Sequence, residues 1–173
     1  MYGEGDFYTM KGVVEEIFEA VGMKKKMVCN PASEKPFLHP GRQALIEYEG
    51  EILGYLGEVH PLVCENYDID TRVYLAVLDM PHVVERATFD RKYEGIAKYP
   101  AVSRDISMVV PKTILAGQIE AMIGQRGGRI LESCRLFDIY EGEQIEEGFK
   151  SMAYSITFRA KDRTLEEADV ASA

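Results

Sequence analysis

Apolar residues recur along this chain in two periods, and the changes between them mark out the elements. Over residues 11–21, Val13, Val14, Ile17, Phe18 and Val21 repeat at helical spacing. Glu15, Glu16 and Glu19 take the wet side, and Gly22 is placed to stop the helix. The apolar runs 44–48 and 52–59 are joined by Glu49-Gly50-Glu51, which predicts a β-hairpin, entered through a Pro40-Gly41 turn and ended by His60-Pro61. Residues 73–79 supply a third strand, and Pro81 opens a short segment that contains Val83 and Val84.

The second half is organised around residues 98–110. Tyr99-Pro100 feeds an adjacent Arg104-Asp105 pair, after which Ile106, Met108 and Val110 alternate with polar or smaller neighbours, the period of a half-buried strand over 105–110. This strand is expected to be central in its module. A helix over 114–124 follows, with Leu115, Ile119, Met122 and Ile123 apolar and Gly127-Gly128 ending it. Strands over 130–140 and 151–159 come next, with a polar, glycine-bearing loop at 141–148 between them. Thr164 then reads as the N-cap of a second helix, with Glu166 and Glu167 in its first turn. The order β-α-β-β-α is that of a ferredoxin-like split βαβ fold without its last strand, so the fold class is α+β. The chain is expected to stop before that strand and to leave the strand 105–110 with an exposed edge.

Strand parity divides the second module into two faces. Met152, Tyr154, Ile156 and Phe158 share the inner one with Ile106, Met108, Val110, Phe137 and Ile139. The outer one receives Asp105, Ser107, Val109, Asp138, Tyr140, Ser151, Ala153, Ser155, Thr157 and Arg159. Helices of this fold cover a single face. The other therefore presents Tyr140 among Ser107, Asp138, Ser151 and Arg159, a surface on which a splayed nucleobase can stack for about 1–3 kcal/mol and find hydrogen-bonding groups beside it. The competing reading is that Tyr140 ends its strand and packs on the loop 141–148.

Charge sharpens this division. The 173 residues carry a net charge of −9, which argues against a general affinity for polyanions. Residues 1–90 are net −8, however, residues 91–163 net +2 and the last ten −3. A boundary near 86–96 fits the jump in basic content and divides the chain into modules 1–90 and 91–173. Lys24, Lys25 and Lys26, close to a predicted helix end, read as solvated charges. The cysteines Cys29, Cys64 and Cys134 are odd in number and widely spaced, and neither they nor His39, His60 and His82 show a metal-ligand spacing. His39 and His60 each precede proline, where an imidazole commonly caps a turn, and neither has an evident nucleophile or carboxylate partner. No apolar run is long enough to span a membrane and the first residues have no signal-peptide pattern, so a cytoplasmic protein is expected.

Several motifs in fixed order carry a resemblance. Tyr99-Pro100 with Arg104-Asp105, Leu136-Phe137-Asp138-Ile139-Tyr140-Glu141-Gly142, Lys150-Ser151, Phe158-Arg159 and Arg163-Thr164-Leu165 span about residues 96–170. Together they resemble the ferredoxin-fold anticodon-binding domain at the C-terminus of the bacterial phenylalanyl-tRNA synthetase β subunit. Lys11-Gly12, Leu38-His39-Pro40-Gly41-Arg42 and the run from Gly54 to Pro61 are similar to the end of the same subunit's synthetase-like, catalytically inactive core.

The resemblance implies a ligase of two α and two β subunits. The α subunit would bind ATP, Mg2+ and phenylalanine and charge the tRNA, leaving no catalytic residue, cofactor or metal in this chain. Its partners would be tRNA(Phe), the α subunit and a second β subunit. Tyr140 falls at the family position that stacks on an anticodon base, with Ser107, Asp138 and Ser151 at positions near the anticodon, while Arg104-Asp105 reads as architecture. The family continues through a full second helix and a fourth strand, so this chain is expected to be a piece of a longer subunit. Two other readings remain. One is a ferredoxin-like regulatory module binding a small ligand such as an amino acid at a sheet edge, for which residues 111–114 offer no glycine-lined pocket. The other is an enzyme using His39 and His60.

Overall fold

The computed structural model describes residues 1–171 apart from 2, 91, 92 and 94. The chain divides into two units, Met1–Tyr93 and Glu94–Ala173. The boundary is expected near 86–96, and residues 91, 92 and 94 of that range lie outside the described set.

In the first unit, α1 (Phe7–Ala20) begins four residues before the apolar pattern, because Asp6 caps it. The Asp6 carboxylate accepts from the Thr9 N–H at 2.7 Å, and the Thr9 hydroxyl accepts in return from the Asp6 N–H at 3.3 Å. A short strand β1 (Val28–Asn30), absent from the sequence expectation, precedes the hairpin of β2 (Leu38–Tyr48) and β3 (Glu51–Val59). The hairpin link is Glu49-Gly50, with φ of 53° and 84°, the two left-handed residues of a type I′ turn.

Pro40-Gly41, expected as a turn, lies inside β2, where the register against β3 shifts between Leu38 and Gln43. The irregularity accommodates a proline that has no N–H to give to a ladder. Next come α2 (Pro61–Asn66), also unanticipated, then β4 (Tyr74–Leu78) and α3 (Met80–Arg86). The antiparallel sheet runs β1-β2-β3-β4, and its core is Val14 and Phe18 of α1, Ile46, Leu53 and Leu56 of the sheet, and Val83 of α3.

The second unit contains β5 (Val102–Pro111), α4 (Ala116–Gly127), β6 (Leu131–Tyr140), β7 (Phe149–Phe158) and α5 (Glu167–Ala171). Its sheet is ordered β5-β7-β6, antiparallel throughout. The strand expected to be central is therefore an edge among the described residues, and β7 takes the centre. The consequence is visible in burial. Met152, Tyr154, Ile156 and Phe158 of β7 are buried under Ile119 and Ile123 of α4, whereas Ile106 of β5, opposite Tyr154, remains 36% exposed and outside that core. Phe137 was expected inside as well. A bulge between Leu136 and Asp138 sets it aside, 54% exposed, so that Leu136 packs on the core in its place. Ile139 faces the core side opposite Met152 but is half open to solvent. The last helix starts at Glu167 rather than after Thr164.

Candidate nucleic-acid interface

Residues directly opposite across an antiparallel pair share a face, so the registers of β5, β7 and β6 define rungs across the second sheet. On the side away from α4, one rung reads Val109, Ser151, Tyr140, and the next Ser107, Ala153, Asp138. A third reads Asp105, Ser155, Arg135, and a fourth Ser103, Thr157, Ser133. The β7 members of this face are half-buried and the β5 and β6 members exposed, in contrast to the buried residues that alternate with them along β7.

Four of the five residues singled out in the sequence come together on the first two rungs. Tyr140 lies opposite Ser151, whose hydroxyl is 3.2 Å from that of Ser107 on the diagonal. Asp138, one rung along, lies opposite the small side chain of Ala153. Tyr140 is 44% exposed and also touches the following loop: a Cβ on Gly142 would overlap its phenol oxygen. The ring thus packs on the loop and keeps an open face, and the two readings of Tyr140 are compatible.

Arg159 is not brought beside the others. It follows the last residue of β7, where its Nε donates to Glu132 at 2.9 Å and its Nη1 to the Tyr99 carbonyl at 2.8 Å. Asp105, at the exposed edge, makes no such bond among the described residues, and Arg104 reaches Glu167 at 3.3 Å. Arg135, which the sequence did not single out, lies on the same face two rungs from Tyr140. The bulge at Phe137 hid it, because simple parity counted back from Tyr140 sends residue 135 to the core side.

The first unit offers different chemistry. The His39 Nδ1 accepts from the Gly41 N–H at 3.1 Å, and the His60 Nδ1 accepts from the Leu62 N–H at 3.2 Å, capping α2. Each imidazole is therefore tied to the turn that follows it. Glu58, buried at the end of β3, receives Arg42 Nη1 at 2.9 Å on both oxygens and the Tyr74 hydroxyl at 3.1 Å. Burial pushes its pKa up, but these donors outweigh it and hold the carboxyl below its ordinary value. Lys25, in the basic triplet, pairs with Glu49. Among the described residues no cluster of His, Cys, Asp and Glu could hold a metal, and no helix is long and apolar enough to cross a membrane.

Residues 97–173 match the ferredoxin-fold anticodon binding domain family, and residues 2–80 match the phenylalanyl tRNA synthetase beta chain CLM domain family. Among similar proteins, the phenylalanine–tRNA ligase beta subunit of Clostridium acetobutylicum is 45% identical over 170 residues, covering 98% of this chain and 21% of that protein. The beta subunits of Moorella thermoacetica and Bacillus subtilis are 40% and 38% identical, over 99% and 97% of this chain and 21% of each relative. The chain thus spans about a fifth of the length of the curated relatives it matches.

Proposed function

Because this chain belongs to the phenylalanyl-tRNA synthetase β-subunit family, we propose that its second unit binds the anticodon of tRNA(Phe), and that its first unit serves as a non-catalytic support for the α subunit. The observation that carries the RNA reading is the grouping of Tyr140, Ser151, Ser107 and Asp138 on the uncovered face of the sheet. A base stacked on the half-exposed Tyr140 ring gains a sequence-independent attraction of about 1–3 kcal/mol. The Ser151 and Ser107 hydroxyls, which donate or accept, and the Asp138 carboxylate, which only accepts when ionised, then discriminate among base edges. An acceptor beside a stacked base favours bases that present N–H groups.

Catalysis is assigned to the α subunit, together with ATP and Mg2+, and the assembly is proposed to include a second β subunit. Among the described residues of this chain, His39 and His60 use the Nδ1 lone pair to hold backbone amides, which favours a supporting role for the first unit. A synthetase of the translation machinery working in the cytoplasm is consistent with this assignment.

The test is to titrate the anticodon arm of tRNA(Phe), and arms with other anticodons, into the chain and into its Tyr140→Ala variant. Preference for the phenylalanine anticodon, lost with Tyr140→Ala, is expected. Equal affinity for all arms, or no change in the variant, would refute the proposal.

A further inference from the structure

The anticodon reading uses the upper two rungs of the open face and leaves the lower two without a role. Those rungs hold Arg135 with Ser155, Ser133, Thr157 and Ser103, one guanidinium among four hydroxyls, and Asp105 at the opposite edge. Ser103 and Thr157 are hydrogen-bonded to each other at 3.3 Å. Arg135 is exposed and makes no hydrogen bond or ion pair among the described residues, whereas Arg159 is engaged by Glu132 and the Tyr99 carbonyl.

Two acids share the face with Arg135, Asp105 across the sheet and Asp138 on the adjacent rung, and neither is ion-paired with it among the described residues. Asp105 is on its own rung but two strand spacings away, roughly 10 Å. Asp138 faces the next rung, beyond the bulge. The lower rungs thus carry, among the described residues, an exposed, unpaired guanidinium and four hydroxyls, with Asp105 at the far edge and Asp138 one rung above.

We infer that Arg135 is a phosphate-binding residue for the RNA whose base stacks on Tyr140, an inference that rests on the anticodon reading of the same face. Along β7 the rungs of Tyr140 and Arg135 are Ser151 and Ser155, four residues apart, which at about 3.3 Å per residue is about 13 Å. The long arginine side chain covers part of that distance, so its guanidinium meets the RNA backbone beside the stacked base. A guanidinium presents a planar fork suited to two phosphate oxygens, and the hydroxyls of Ser155 and Ser133 complete the donor set. The contact positions the strand and carries no base preference of its own.

The experiment titrates the anticodon arm of tRNA(Phe), and the same arm with a substituted anticodon, into the 173-residue chain over a range of salt concentrations. Arg135→Gln is expected to weaken both arms by roughly tenfold, to leave their ratio unchanged, and to reduce the slope of log K against log salt by about 0.7. Arg135→Lys keeps the charge and should keep the slope. An Arg135→Gln chain that binds with wild-type affinity and slope, while Tyr140→Ala loses the preference, overturns the inference and leaves the anticodon reading standing. A reduced salt slope shared equally by the Lys variant, which keeps the charge, overturns it too. Tyr140→Ala without effect overturns both.

Discussion

Gly142 lies so close to the ring of Tyr140 that a Cβ on it would overlap the phenol oxygen and the carbon that bears it. The loop after β6 comes back against the aromatic side chain, and only a residue without a side chain permits the approach. The ring is therefore oriented by backbone as well as by its own rotamer. Gly142→Ala is expected to displace it and to forfeit part of the stacking contribution of about 1–3 kcal/mol, with little effect on folding because the loop is exposed. Titration of the anticodon arm measures the first effect and thermal melting the second. An unchanged affinity would show that the ring's present orientation is not the one RNA uses.

Glu58 should make the first unit sensitive to acid. Its folded pKa lies below that of an unfolded glutamate, about 4.3. The stabilisation is therefore present above that value and is lost as pH falls through the folded one. Urea unfolding followed from pH 7 to pH 3 should show this loss in the wild-type chain and less of it in Glu58→Gln. At pH 7 that variant is expected to be about 1–3 kcal/mol less stable, because Arg42 and Tyr74 lose an ionised acceptor.

Tyr154 gives the second unit the opposite sensitivity. Burial, followed by Glu120 and Cys134, pushes its phenol up to about 12. A raised folded value means that its stabilisation is intact below the unfolded value of about 10 and is lost as pH rises through the folded one. Tyr154→Phe should flatten the decline of stability above pH 10. It removes only a 3.4 Å bond to the Ala116 carbonyl, so the loss at neutral pH should stay within about 1 kcal/mol. Ultraviolet titration of the phenols provides the complementary readout.

Leu56 is fully buried in the first core, against elements from both ends of that unit. Leu56→Ala is expected to lower the unfolding free energy by about 2–5 kcal/mol, through lost burial and the cavity left behind. Chemical denaturation measures it. A change within 0.5 kcal/mol, roughly the effect of an ordinary surface substitution, would place Leu56 outside the cooperative core.

What the chain's own pattern determined was the identity of most elements and the side on which each strand residue falls. Met152, Tyr154, Ile156 and Phe158 face the core, and Tyr140, Asp138, Ser107 and Ser151 share the open side, because alternation is a local property of extended backbone. Tertiary structure decided what depends on partners distant in sequence. It put β7 at the centre of its sheet and the strand 105–110 at the edge, since alternation says which way a side chain points but not which strand lies beside it. It kept Pro40-Gly41 within a bulged strand, where pairing with β3 overrode a turn preference. It set Phe137 aside in another bulge, because two residues of β6 there oppose the single residue Ala153 of β7, and so brought Arg135 onto the open face. It also bound Arg159 to Glu132 and to the Tyr99 carbonyl, 27 and 60 residues away, contacts that no local period encodes.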